Sequence, residues 1–115
     1  FTAPADTLDA MVEFYCDILG MTVGDRPDFG INGYWLYAGG QPILHMIEDA
    51  NRATGSQGYF DHIALRCNDI EGITQRLAER NIDFFQFDVT DVQQTQVVVK
   101  DPAGTQVELN FVLKN

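Results

Sequence analysis

The sequence carries one pattern of helix and strands twice, and a chain of 115 residues that repeats itself builds two like halves. "DTLDAMVEFYCDILGM" from Asp6 and "NDIEGITQRLAERNI" from Asn68 each open with a capping residue, place a carboxylate three positions later and continue as an apolar helical stripe. The first stripe is Leu8, Met11, Val12, Tyr15 and Leu19, closed by Gly20; the second is Ile70, Ile73 and Leu77. A shift of 62 residues superposes the two helices.

Three strand-like runs follow each helix. They are Met21 to Arg26, Tyr34 to Ala38 and Pro42 to Glu48 in the first copy, and Ile82 to Phe87, Gln94 to Lys100 and Gln106 to Val112 in the second. "AGGQ" at 38–41 and "DPAG" at 101–104 are turn signals in matching places. One more strand precedes each helix: Tyr59 to Cys67, and the stub Phe1 to Ala3. The class is α+β, one domain of two βαβββ modules at about 1–48 and 59–113 with a polar linker at 49–58.

Charge and composition exclude several functions. Seventeen acidic against seven basic residues give a net charge of −10, which repels nucleic-acid phosphates and anionic lipid surfaces. No apolar run approaches the roughly 18 residues of a membrane span. Cys16 and Cys67 form no CxxC pair, so reduced, core-type cysteines in a cytoplasmic protein are expected. The chain opens on Phe1 with no signal-like segment, so its natural start is expected upstream.

The repeat also locates the chemistry. With a shift of 63, "PILHMIED" overlies "TQVELNFV", and His45 falls on Glu108. Strand alternation sets each as a polar residue between apolar neighbours, Leu44 and Met46 in one case, Val107 and Leu109 in the other. His62 lies in "YFDHIALRCND" at 59–69, and by the 62-residue shift its counterpart is the residue just before Phe1. Four equivalent places thus fall on the inner face of a curved sheet, with His45, His62 and Glu108 as visible occupants. Two imidazoles and a carboxylate on rigid strands suit a divalent first-row metal. Taken singly, a strand histidine is more often a hydrogen-bonded half-buried side chain, and a strand glutamate a solvent-facing one. Both histidines of the chain nevertheless land on repeat-related places.

"FYCDILGM" at 14–21, "DHIALRCNDIE" at 61–71 and "DPAGTQVELNF" at 101–111, in this order and spacing, resemble the vicinal oxygen chelate superfamily of glyoxalase I, extradiol dioxygenases, epimerases and the fosfomycin and bleomycin resistance proteins. The resemblance implies a U-shaped mixed sheet around a metal or ligand cavity, and a homodimer. It implies His62 and Glu108 as ligands from the strands that open and close the second module, and His45 from the strand that closes the first. A fourth ligand would precede Phe1. The metal would be Fe, Mn, Co, Ni or Zn, and Glu108 the proton-transferring carboxylate. His45 stands where glyoxalase I would want a carboxylate and where extradiol dioxygenases leave the position empty, which disfavours both reactions in their usual form.

The expected function is a metal-dependent lyase, isomerase or oxygenase acting on a small molecule with adjacent oxygens. The alternative is a metal-free protein that sequesters a small molecule or drug, as in bleomycin resistance. Arg26, Trp35, Tyr37, Arg66 and Gln96 are candidate substrate contacts, with Tyr34 and Phe85 also near a pocket. Trp35 and Tyr37 share one strand face and Tyr34 and Leu36 the other, so one pair packs under a helix while the other lines the cavity. Phe84, Phe85 and Phe87 are read as core and dimer surface.

Overall fold

The computed structural model describes residues 1–55 and 58–113. The chain divides into two compact units, Phe1–Ser56 and Gln57–Asn115.

In the first unit the order is β1 (Thr2–Ala3), α1 (Ala5–Val12), β2 (Thr22–Gly24), β3 (Gly33–Ala38) and β4 (Gln41–Glu48). The sheet order is β1-β4-β3-β2, with β1 parallel to β4 and the other pairs antiparallel. The second unit repeats this as β5 (His62–Arg66), α2 (Ile70–Glu79), β6 (Phe84–Val89), β7 (Gln94–Lys100) and β8 (Gln106–Val112), ordered β5-β8-β7-β6. Both modules are therefore βαβββ, as the repeat requires.

The helices differ from the expected stripe for a local reason. After Val12 the first helix widens into a π-helical turn, Glu13–Ile18. The wider turn advances the buried face, so Phe14 and Ile18 join Leu8, Met11 and Tyr15 in the core in place of Val12 and Leu19. Gly20 closes the helix at φ +83°, with the Met21 N–H donating to the Tyr15 carbonyl. Neither expected cap holds. Pro4 precedes α1 without a side-chain cap bond, and the α2 cap is Asp69, whose carboxylate accepts from the Gly72 N–H.

Each sheet buries one face under its helix. Leu36 and Met46 lie there in the first unit, and Val97, Val99, Val107, Leu109 and Phe111 meet Ile73 and Leu77 in the second. The other face of each sheet carries the candidate residues. The β3–β4 hairpin turns on Gly39 and Gly40, both at positive φ, which a two-residue turn of this hand demands.

Pairing register corrects the position expected for a fourth ligand. Thr2 pairs with Ile47 as Arg66 pairs with Asn110, a shift of 64 rather than 62. The counterpart of His62 accordingly falls three places before Phe1, not one. The helices begin at a shift of 65, Ala5 against Ile70, because β5 is followed by a longer connection than β1, while their buried positions match at 62, Met11 on Ile73 and Tyr15 on Leu77.

Candidate functional site

In the second unit His62 opens β5 and Glu108 sits mid-way along β8, and parallel pairing places Ala64 opposite Glu108. Residues paired across a sheet share a face, so His62, Ala64 and Arg66 lie with Gln106, Glu108 and Asn110. His62 Nε2 stands 3.3 Å from Glu108 Oε1. On its other side Nδ1 is 2.7 Å from Asp61 Oδ2. Asn110 donates from Nδ2 to Glu108 Oε2 at 2.8 Å.

The electrostatics of this arrangement are specific. The short contact makes Nδ1 the proton-bearing nitrogen, donating to the Asp61 carboxylate, which in a neutral ring leaves a lone pair on Nε2. That lone pair meets a carboxylate oxygen. Two acceptors so placed repel unless a proton or a cation lies between them. The hydrogen bond to Asp61, followed by the charge of Glu108, accordingly raises the His62 pKa above its ordinary 6.5. A separation of 3.3 Å is longer than the 2.7–2.9 Å usual for a charge-assisted hydrogen bond. It also suits two ligands of one ion, because donors each about 2.0–2.2 Å from a first-row metal lie roughly 3 Å apart when adjacent in its coordination sphere.

His45 and its neighbours belong to the first unit. Trp35 pairs with His45 across β3 and β4, and their rings stack at 4.0 Å and 10°. Phe29 lies 6.4 Å from Trp35, and the Arg26 guanidinium sits 5.1 Å over Phe29. Tyr37 shares their face: its ring covers Gly24, where a Cβ would meet it at 2.6 Å, and its hydroxyl donates to the Asp25 carbonyl at 2.6 Å. The opposite pair settles the packing question. Leu36 is buried, and the Tyr34 hydroxyl donates to Asp9 of α1, so this pair lies on the helix side.

Among the described residues no group of three or more His, Cys, Asp or Glu side chains gathers to hold a metal ion. Of the expected set, the second unit brings together His62 and Glu108, with Gln96 and Arg66 on the same face. The hollows lie elsewhere. One of about 520 Å³ is lined by Asp9, Arg26, Asp28, Tyr34 and Glu48 at α1, and one of about 350 Å³ by Cys67, Asp69, Asp88 and Thr95 at the start of α2. Both cysteines are free thiols, and burial pushes Cys67 up to about 11, which leaves it unreactive. Among the described residues no helix is long and apolar enough to cross a membrane.

Asp61 and Asn110 were legible yet not expected. Asp61 immediately precedes the histidine, and Asn110 stands two residues after the glutamate, hence on its face.

Two like sheets, each with a helix on one face and polar or aromatic side chains on the other, define a paired βαβββ protein. The model of the Glyoxalase/Bleomycin resistance protein/Dioxygenase superfamily matches residues 1–109, and the chain belongs to that superfamily. Its fold is similar to that of a glyoxalase family protein from Bacillus anthracis, at 20% identity and a TM-score of 0.71 over 96% of this chain and 88% of that one. The antibiotic-binding protein TnmS3 from Streptomyces sp. CB03234 is similar at 20% identity and 0.67, covering 97% and 92%. Lactoylglutathione lyase from Agrobacterium tumefaciens is similar at 18% and 0.61, covering 96% and 90%. At these identities the likeness is one of fold, and no curated protein matches the sequence.

Proposed function

We propose that the protein is a divalent-metal-dependent enzyme of lyase, isomerase or oxygenase type, acting on a small molecule with two adjacent oxygens. The observation that carries this reading is His62 Nε2 standing 3.3 Å from Glu108 Oε1, a spacing that two adjacent ligands of one ion share. His62 and Glu108, both in the second unit, are its ligands. Imidazole and carboxylate suit Fe, Mn, Co, Ni or Zn. Such an ion supplies Lewis acidity toward charge developing on the substrate oxygens.

The chain's own residues do the rest. Asp61 holds the Nδ1 proton of His62 and so keeps Nε2 as the donor. Asn110 fixes Glu108 Oε2, and Glu108 takes a proton from the carbon beside the substrate oxygens and returns it. Arg66 and Gln96, on the same sheet face as Glu108, contact substrate. Free thiols suit a cytoplasmic protein, and the homodimer is what the resemblance to the superfamily implies.

Metal analysis of protein purified without chelator tests the reading. Occupancy near one equivalent is expected, with a severe loss in His62→Ala and Glu108→Gln. Occupancy under about a tenth of an equivalent overturns it, since a built site retains its ion.

One observation favours a second reading. The Trp35–His45 stack, with the Phe29 ring tilted beside it, is an aromatic cluster suited to a planar ligand in a metal-free binding protein. An unoccupied preparation that binds a planar aromatic compound and quenches the single tryptophan supports this alternative.

A further inference from the structure

The open face of the second sheet forms rows across its strands. Ala64, Glu108, Val98 and Phe85 make one row, and Arg66, Asn110, Gln96 and Phe87 the next. His62 lies on the side of Glu108 away from Arg66. Glu108 thus has an imidazole in one direction and a guanidinium in the other. Rows two residues apart along a strand are separated by about 7 Å.

Arg66 is exposed, and among the described residues it has no ion-pair partner. The acid nearest in register is Glu108, but its two oxygens face His62 and Asn110. What sets Arg66 apart is its place, one row from Glu108 on the same open face. Beyond Glu108 its row turns apolar through Val98 and Phe85, while beyond Asn110 the other passes through Gln96 to Phe87, both phenylalanines being exposed.

We infer that Arg66 is the anchor for a carboxylate on the substrate, two or three carbons from the oxygens that meet the metal. The inference rests on the proposed metal site and adds the substrate class: a small chelating oxyacid, its carboxylate on Arg66 and its carbon chain toward Val98 and the phenylalanines. A planar carboxylate matches the guanidinium fork with two parallel hydrogen bonds. A phosphate dianion meets more repulsion from a net charge of −10, so the monoanion is the better fit.

The test compares two hydroxamates on zinc-loaded protein by calorimetry. Acetohydroxamate offers the two adjacent oxygens alone; succinic monohydroxamate adds a carboxylate two methylenes away. The expected result is tighter binding of the second by about fivefold, the scale of a well-placed but solvent-accessible ion pair. In Arg66→Gln that preference disappears while acetohydroxamate binds as before. Equal affinities in the unaltered protein, or a preference that survives Arg66→Gln, overturn the assignment of Arg66 and leave the metal site standing. Failure to load zinc, or to bind either hydroxamate, overturns the metal site and this inference with it.

Discussion

At the scale of single residues, the site is defined as much by what orients its donors as by the donors. Asp61 is largely exposed, with 77% of its side chain open to solvent, so its replacement disturbs little packing. Asp61→Asn is expected to weaken metal affinity by about 10- to 100-fold, because the ring loses the acceptor that fixes its tautomer. Calorimetric titration measures this, and unchanged affinity would remove Asp61 from the account. The raised pKa of His62 sets the pH dependence. In metal-free protein the protonated ring favours the folded state, a contribution present below its ordinary 6.5 and lost as pH rises through the raised value. Metal requires the deprotonated nitrogen, so metal affinity runs the other way and falls as pH drops through that value. Opposite pH trends in the melting temperatures of metal-free and metal-loaded protein, each reduced in His62→Ala, are the expected signature.

At the scale of elements, helix burial holds the sheets and leaves their open faces for function. Leu77 is completely buried beneath the second sheet. Leu77→Ala is expected to destabilise by roughly 2–5 kcal/mol in denaturant unfolding, the usual range for a core truncation that leaves a cavity. The β7 and β8 boundaries follow the sequence residue for residue, since alternating Val97, Val99, Val107 and Leu109 leave one register that buries the apolar set. Elements that local sequence specifies weakly departed more. The π-helical turn at 13–18 has no signature in a period of 3.6 residues, and it moved the buried face onto Phe14 and Ile18. The cap at Asp69 rather than Asn68 depends on a backbone at φ 64°, which composition does not announce. That His62 and Glu108 share a face and meet was legible because two histidines and a repeat coincided. Asn110 could be placed on that face by its spacing, but its role could not be read, because it depends on which Glu108 oxygen the side chain reaches.

At the scale of the whole molecule, two copies of one module carry different chemistry on equivalent strands. A shift of 63 places Trp35 on Val98 and His45 on Glu108, so one copy presents a ring stack where the other presents an apolar residue beside a carboxylate. Superfamily membership fixes the scaffold, while these substitutions fix what it does. The claim on which the account depends is that the gap between His62 Nε2 and Glu108 Oε1 holds a metal ion. Titration of metal-free protein with Co(II), followed by visible absorption, reads the ligand field directly. The account predicts a saturable d–d band at one equivalent that is abolished in the double variant His62→Ala, Glu108→Gln. An unchanged band in that variant, or no band in the unaltered protein, would contradict it.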